Sequence, residues 1–473
     1  MPEHLGTPPD TRAAHDASEG DVNLSHRRQA WQAQHLDAAT RELLAEDARW
    51  FLHQSMSTPC LNALQAADGA WLTDVAGRRI LDFHGNSLHQ VGYGHPRVVE
   101  AMQRSLATLP FSPRRYTHRP AVELARRLCQ AAPMPDAKLL FAPGGSAAIG
   151  MALKLARLVT GRHRTLSMWD AFHGASLDAI SIGGEAVFRR GIGPLLPGTE
   201  HAPPCDPRGC VFGCGGRCAL RCADYVEYVL RKEGDVGAVI VETVRCTDVQ
   251  IPPPEYYQRL RRACDRHGAL LILDEIPIAL GRTGRLFAVE HYGIEPDMVV
   301  IGKGLGGASM PLAALIARGR FDVGQHLSLG HYTHEKNPVA CAAGLAVLDV
   351  IEEERLLERS RRLGAQALQR LRHATAAMPA VGGVRGLGLL LGIELVDAHG
   401  RSAADLADEL LYRCLGAGLS FKVGQGSVLV LAPPLNVVAA DLDSALDVLL
   451  DGLAGLQGGC PAGAQARPGS TAG

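Results

Sequence analysis

The chain has 473 residues, 47% of them hydrophobic and 21% charged, with a net charge of −1 at pH 7. That length exceeds what one hydrophobic core usually covers, so two lobes are expected. Near-zero charge gives no electrostatic case for nucleic acid or a membrane surface, and no run reaches the roughly 18 apolar residues of a membrane helix.

Residues 1–22 are poor in hydrophobics, lack the apolar stretch of an export signal, and are expected to be disordered. Twelve cysteines in a chain without such a signal point to a reducing cytoplasm rather than a disulfide framework. Residues 23–114 read as the N-terminal part of a small lobe, with a helical pattern from Asp37 to Gln54. A strand pair, Ala70–Val75 and Arg79–Phe83, follows around Gly77. Residues 115–336 read as a large domain. Helix Ala121–Ala131, strand Lys138–Ala142, helix Ala147–Thr160 and strand Thr165–Trp169 begin an alternation that continues to Ala317. Such alternation predicts an α/β fold with a mostly parallel sheet flanked by helices. Residues 337–457 read as a smaller α+β lobe. It holds helix Asn337–Gly364, strand Gly386–Val396, helix Ala403–Ala417, strand Val428–Leu431 and a last helix. The Gly/Pro/Ala/Ser-rich stretch 458–473 is expected to be a loose tail.

Within the large domain, four apolar runs each stop at functional residues. Val236–Val241 ends at Glu242, Ala269–Leu273 at Asp274, and Met298–Gly302 at Lys303; Lys138–Pro143 runs into Gly144-Gly145-Ser146. Runs of this kind read as buried parallel strands, and ligands of such sheets sit at the strands' carboxyl ends. Asp274 lies 32 residues after Glu242 and Lys303 lies 29 after Asp274, about one strand–helix–strand unit each. A lysine, a carboxylate and a Gly/Ser loop converging at one sheet end meet the needs of pyridoxal phosphate (PLP). The lysine supplies the attaching amine, Asp274 a pyridinium partner, and Gly145 with Ser146 a phosphate site at a helix N-terminus. Phe172, in Phe172-His173-Gly174, is either a ring-stacking aromatic or core. The other lysines (138, 154, 232, 336, 422) read as solvated surface residues.

Asp274-Glu-Ile276, Gly281-Arg-Thr-Gly284, Pro296-Asp-Met298 and Gly302-Lys-Gly-Leu-Gly-Gly307 resemble the signature of class-III aminotransferase-like PLP enzymes of fold type I. The resemblance spans about Ala70 to Val396. It implies a seven-stranded-type sheet and a small lobe drawn from both termini. Gly145, Ser146, Phe172, His173, Glu242, Asp274, Ile276 and Lys303 fall at its cofactor positions. It further implies a homodimer in which Thr333 reaches the neighbouring subunit's cofactor phosphate, and it makes Arg385 the group for the substrate's acid. One departure is Pro277, where the family commonly carries a glutamine bonded to the cofactor; proline has no such donor.

Further stretches resemble one branch, the (R)-1-hydroxy-2-aminoethylphosphonate ammonia-lyases. They are His84–His95, Phe111–Thr117, Met168–Gly174, Gly193–His201, Asp274–Pro277 and Gly330–Lys336. This implies an amine substrate bearing a phosphonate, for which Arg114, Arg115 and Arg385 are candidate guanidinium partners. A solvated loop is the other reading of the Arg114-Arg115 pair. In that reaction Lys303 takes the proton from the carbon bearing nitrogen, and Lys303 or His173 protonates the leaving hydroxyl. The runner-up is a transaminase of aminophosphonates or ω-amino acids that needs a 2-oxo acid. His89, Tyr93 and Tyr116 either line the pocket or pack as core and loop.

Cys205, Cys210, Cys214, Cys218 and Cys222 crowd an insertion at 203–222. They are either ligands of a structural zinc or iron–sulfur centre or free thiols of a surface insertion. A metal-sensing regulator would be a different class of function. It would leave Lys303 idle, and the chain offers no helix-turn-helix pattern or basic stripe for it.

Overall fold

The computed structural model describes residues 25–457 apart from 55–56, 207–208 and 215–217, so the expected disordered start and loose tail lie outside the described residues. Its centre is a seven-stranded sheet in the order β4-β10-β9-β8-β7-β5-β6. These strands are β4 (Lys138–Ala142), β5 (Arg164–Met168), β6 (Thr199–Ala202), β7 (Val236–Glu242), β8 (Leu270–Asp274), β9 (Met298–Ile301) and β10 (Ala313–Ala317). Six run in one direction, and β10 runs against them, pairing antiparallel with both β4 and β9. The fold is therefore α/β of PLP fold type I.

The apolar runs have a two-sided reason. Val239, Val241, Leu271, Leu273, Val299 and Ile301 enter one hydrophobic cluster, while Ala238, Ile240, Ile272 and Val300 enter another. Successive side chains of a strand point to opposite faces, so a sheet covered on both sides needs continuous rather than alternating hydrophobicity. Each fully buried Leu or Ile contributes roughly 1.5–3 kcal/mol, which pins the sheet and the ends of its strands. Helix Gly145–Thr160 covers the second face with Ile149, Met151, Leu153 and Leu155.

Two further sheets join distant parts of the chain. In the first, β1 (Leu64–Asp68), β2 (Trp71–Asp74) and β3 (Arg79–Asp82) are completed by β13 (Leu419–Ser420). In the second, β11 (Val381–Leu387) and β12 (Leu390–Leu395) pair through β15 (Val428–Leu431) to β14 (Lys422–Gly424).

Several expectations need correction. The helix expected over Asn337–Gly364 is two helices, Pro338–Glu353 and Leu356–Thr375, separated at Arg355, whose φ is +52°. The strand expected over Gly386–Val396 is the hairpin β11–β12, turned at Gly388. A helix at His26–His35, capped by the Ser25 side chain, was not anticipated. Among the described residues no helix is long and apolar enough to cross a membrane.

Candidate active site

The strand ends meet as the spacing requires. Glu242 and Asp274 are register partners on β7 and β8, and β9 delivers Gly302-Lys303 beside them. Asp274 is only 2% exposed. Its carboxylate accepts from His173 Nδ1 at 2.8 Å and from the Ile276 N–H at 3.0 Å. The second nitrogen of His173 meets Ser167 Oγ at 3.3 Å. With both ring nitrogens engaged and the ring 2% exposed, His173 holds Asp274 in place and cannot serve the leaving hydroxyl as expected. Glu242 accepts the Phe172 N–H at 3.0 Å, and burial pushes its carboxyl above the ordinary range. Phe172 is half-buried with its ring 4.4 Å from that of Phe188.

Gly145 opens helix Gly145–Thr160, whose first hydrogen bond to the preceding chain runs from Ala148 N to Gly144 O. The first-turn N–H groups ahead of it suit an anion. Ser146 Oγ accepts from Ala175 N at 3.2 Å, which leaves its hydroxyl hydrogen to donate. Added side chains would crowd both sides of this loop. A Cβ at Gly174 would lie 2.2 Å from Ser146 Oγ, and one at Gly145 would lie 2.8 Å from Ile276 Cδ1. Lys303 is exposed at the cleft and held at φ +46°, a backbone state that costs a non-glycine residue about 1 kcal/mol or more.

Together these residues fit PLP. They provide a buried carboxylate braced by a histidine, an accessible lysine, bare glycines at a helix start, and Phe172 and Ile276 as apolar walls.

Arg385 is placed differently from its expected role. Its Nε donates to the carbonyls of Asp248 and Val249 at 3.0 and 2.9 Å, and Nη1 meets Glu394 at 3.1 Å. Its donors brace the loop after β7 rather than wait for an anion. Arg114 and Arg115 are exposed, as is Thr333, and Arg114 bonds His331 at 2.7 Å. Phe111 packs edge-on to His334, so residues 111–118 and 331–336 share one surface patch.

Other residues at the site were given no role of their own in the sequence, although three fall within the stretch His84–His95. His84, Ser87 and Gln90 lie on the loop after β3, and Ser87 Oγ is 3.4 Å from Cys246 Sγ. Arg245 is buried, paired with Asp248 at 2.9 and 2.7 Å and 3.6 Å from Asp170. Its Arg-x-x-Asp spacing directly after Glu242 was a signal that could have been used. Lys422 is half-buried on β14, contrary to the surface reading.

The metal expectation also changes. Cys205 and Cys222 are buried in the main core with Cys218 packed against it, while Cys210 and Cys214 are half-buried. Among the described residues no three of His, Cys, Asp and Glu are arranged to hold a metal ion. The cysteines that enter the core do so as small apolar groups. Cys205 contacts Cys218 and Cys222, but among the described residues the five thiols do not form one ligand set.

Residues 53–453 match the class-III aminotransferase family. The chain is 47% identical over 457 residues to the (R)-1-hydroxy-2-aminoethylphosphonate ammonia-lyase of Vibrio splendidus (strain 12B01), covering 93% of this chain and 95% of that protein. An aminotransferase of Bacillus anthracis has a similar structure, with TM-score 0.81 and 28% identity over 89% of this chain and 99% of that one. A PLP-bound amine transaminase from an uncultivated Pseudomonas species gives TM-score 0.78 and 29% identity over 86% and 98%.

Proposed function

This chain belongs to the class-III aminotransferase family, and from that premise we propose that it is a PLP-dependent ammonia-lyase. Its substrate is (R)-1-hydroxy-2-aminoethylphosphonate and its products are phosphonoacetaldehyde and ammonia, a step of phosphonate catabolism. The observation that carries this reading is the 47% identity to the Vibrio splendidus ammonia-lyase across nearly the whole of both chains.

PLP, when bound, supplies an electron sink for the carbon that bears the substrate nitrogen. The chain's residues do the rest. Lys303 attaches the cofactor and, once freed, takes the proton from that carbon. Asp274, oriented by His173, keeps the pyridine nitrogen protonated. Gly145 and Ser146 would hold the phosphate, Phe172 and Ile276 would offer the cofactor apolar contacts, and Glu242 fixes the Phe172 main chain. The hydroxyl on the adjacent carbon departs as water with the proton that Lys303 took, and hydrolysis of the resulting enamine releases ammonia and the aldehyde. No amino acceptor enters this sequence.

The exposed patch of Thr333, Arg114 and Arg115 belongs, in this proposal, to the site of a second copy in a homodimer. Arg385 positions the loop after β7 over the cleft. The eleven free cysteines of the described residues agree with a cytoplasmic enzyme.

The test is ammonia release from the hydroxyaminophosphonate by the holoenzyme without any 2-oxo acid. Sustained multiple turnovers are expected. Strict dependence on a 2-oxo acid would replace the lyase by the transaminase that the family equally accommodates.

A further inference from the structure

A phosphonate dianion needs a cation, and of the arginines offered by the sequence Arg385 and Arg114 have partners within this chain, while Arg115 is exposed on the patch assigned above to a second copy's site. Arg385 is bonded to two carbonyls and Glu394, and Arg114 to His331. Arg245 is closed onto Asp248. Lys422 differs from all of them. It has no ion pair or hydrogen bond among the described residues, although it is half-buried on a strand of the inner small-lobe sheet.

Its surroundings place it over the cleft. β13 runs parallel to β3 with Leu419 against Leu81 and Ser420 against Asp82. Phe83 N donates to Ser420 O at 2.8 Å, after which Phe83 O accepts from Ala432 N, and Lys422 lies near enough to act on the charge of His84. The β14 backbone touches the loop after Glu242, since a Cβ at Gly424 would fall 2.0 Å from Thr247 O. Next to Lys303, a Cβ at Gly304 would fall 1.9 Å from Gln90 Oε1, on the His84 loop. Three segments thus close over the lysine that carries the cofactor.

The His84 side chain likewise has no hydrogen-bond partner among the described residues. Asp82 fixes its main chain, accepting from His84 N and Gly85 N at 3.0 Å each.

Resting on the ammonia-lyase reading, we propose that Lys422 and His84 form the binding site for the substrate's phosphonate. Lys422 supplies the charge and His84 an imidazole N–H. In this reading the substrate's amine goes to Lys303 and its anionic end to the two groups that act on one another nearby, His84 and Lys422. Burial pushes the His84 imidazole down to about 4, against the pull of Asp82 and helped by Lys422, His89 and Lys303. A dianion arriving between His84 and Lys422 reverses part of that push, so binding should draw a proton onto the ring.

The test uses the holoenzyme and methylphosphonate, a probe that cannot react. Calorimetric titration in two buffers of different ionisation heat reads both affinity and proton uptake. Lys422→Met is expected to weaken methylphosphonate roughly 10- to 100-fold, the worth of a charge-assisted bond. Lys422→Arg should recover most of the loss, and His84→Asn should abolish the proton uptake between pH 5 and 7. Affinity within twofold of the parent in Lys422→Met overturns the proposal, as does unchanged proton uptake in His84→Asn. Should Lys422→Met fail to fold, the His84→Asn titration decides alone. The outcome is independent of turnover. Dependence on Lys422 without acceptor-free ammonia would leave the anion site standing and remove the lyase reading.

Discussion

The floor and the roof of the cleft are built on opposite plans. The floor is the carboxyl end of β7, β8 and β9, where Asp274 and His173 have partners for their polar atoms and the strands behind them are buried on both faces. The roof is made of loops after β3 and β7 and the short strand β14. It carries the His84 ring and Lys422 amine, which have no hydrogen-bond partner among the described residues, and Asn86 and Ser87 in left-handed backbone at φ +45° and +58°. A satisfied floor fixes what the cofactor does. An unsatisfied roof keeps donors free for whichever substrate enters, which is how one family hosts different reactions on the same cofactor residues.

The largest effects should come from the floor. Lys303→Met removes both the attachment and the proton acceptor. Turnover is expected to fall by at least about 10⁴-fold, with loss of the cofactor's visible band. Retained turnover would break the whole assignment. Asp274→Asn keeps the shape but removes the charge that the proposed function sets against the pyridine nitrogen. Losses of roughly 10²–10³-fold in kcat are expected, a few kcal/mol of lost stabilisation, with KM little changed. If KM rises instead, Asp274 belongs to substrate binding and the division between floor and roof fails.

These two plans also explain what could be read ahead of the structure. Glu242, Asp274 and Lys303 announced themselves because a strand buried on both faces must be apolar until the residue where it stops. Lys422 and His84 gave no such sign, since their neighbourhood is made by β3 pairing with β13 across more than 300 residues of chain. The pairing of Arg385 with Glu394 was hidden for a similar reason: a hairpin stood where one long strand was expected. The same blindness affected the cysteine insertion, where spacing suggested ligands but the core took two of the five thiols. The break at Arg355 carries no glycine or proline, so the helical pattern ran through it unmarked.

A milder way to sharpen the contrast is pH. On the floor, burial pushes Glu275 up to about 7 from 4.5, although its carboxylate accepts from Ala288 N and Val289 N. A carboxyl raised in the folded state contributes stability that is complete below pH 4.5 and lost as pH rises through 7. On the roof, burial pushes His89 down to about 4 from 6.5. That contribution is complete above pH 6.5 and lost as pH falls through 4. Each amounts to roughly 3 kcal/mol at most. Thermal unfolding across pH 4–8 should therefore show Glu275→Gln flattening the decline toward neutral pH and His89→Asn flattening the acid decline. Identical profiles for the two variants would mean that floor and roof do not differ in this respect.

The smallest expected effects come from adding a single methyl group to each region. Gly85 sits at φ +46°, and a Cβ there would lie 2.2 Å from His89 Nδ1, inside a ring that is fully buried. The ring cannot retreat, so Gly85→Ala should cost about 1–3 kcal/mol of stability and displace the His84 loop. Gly145 presents a gentler problem. Its Cβ would meet only Ile276 Cδ1, at 2.8 Å, the free end of a side chain that can turn. Gly145→Ala should leave stability within about 1 kcal/mol of the parent and crowd the helix start proposed to hold the phosphate. The two variants are thus expected to separate cleanly. Gly85→Ala raises KM for the phosphonate while PLP titrates as in the parent. Gly145→Ala weakens PLP several-fold while KM, measured at saturating cofactor, stays put. If both parameters move together in either variant, the roof and the floor are one mechanical unit, and substrate choice cannot be altered without disturbing the cofactor.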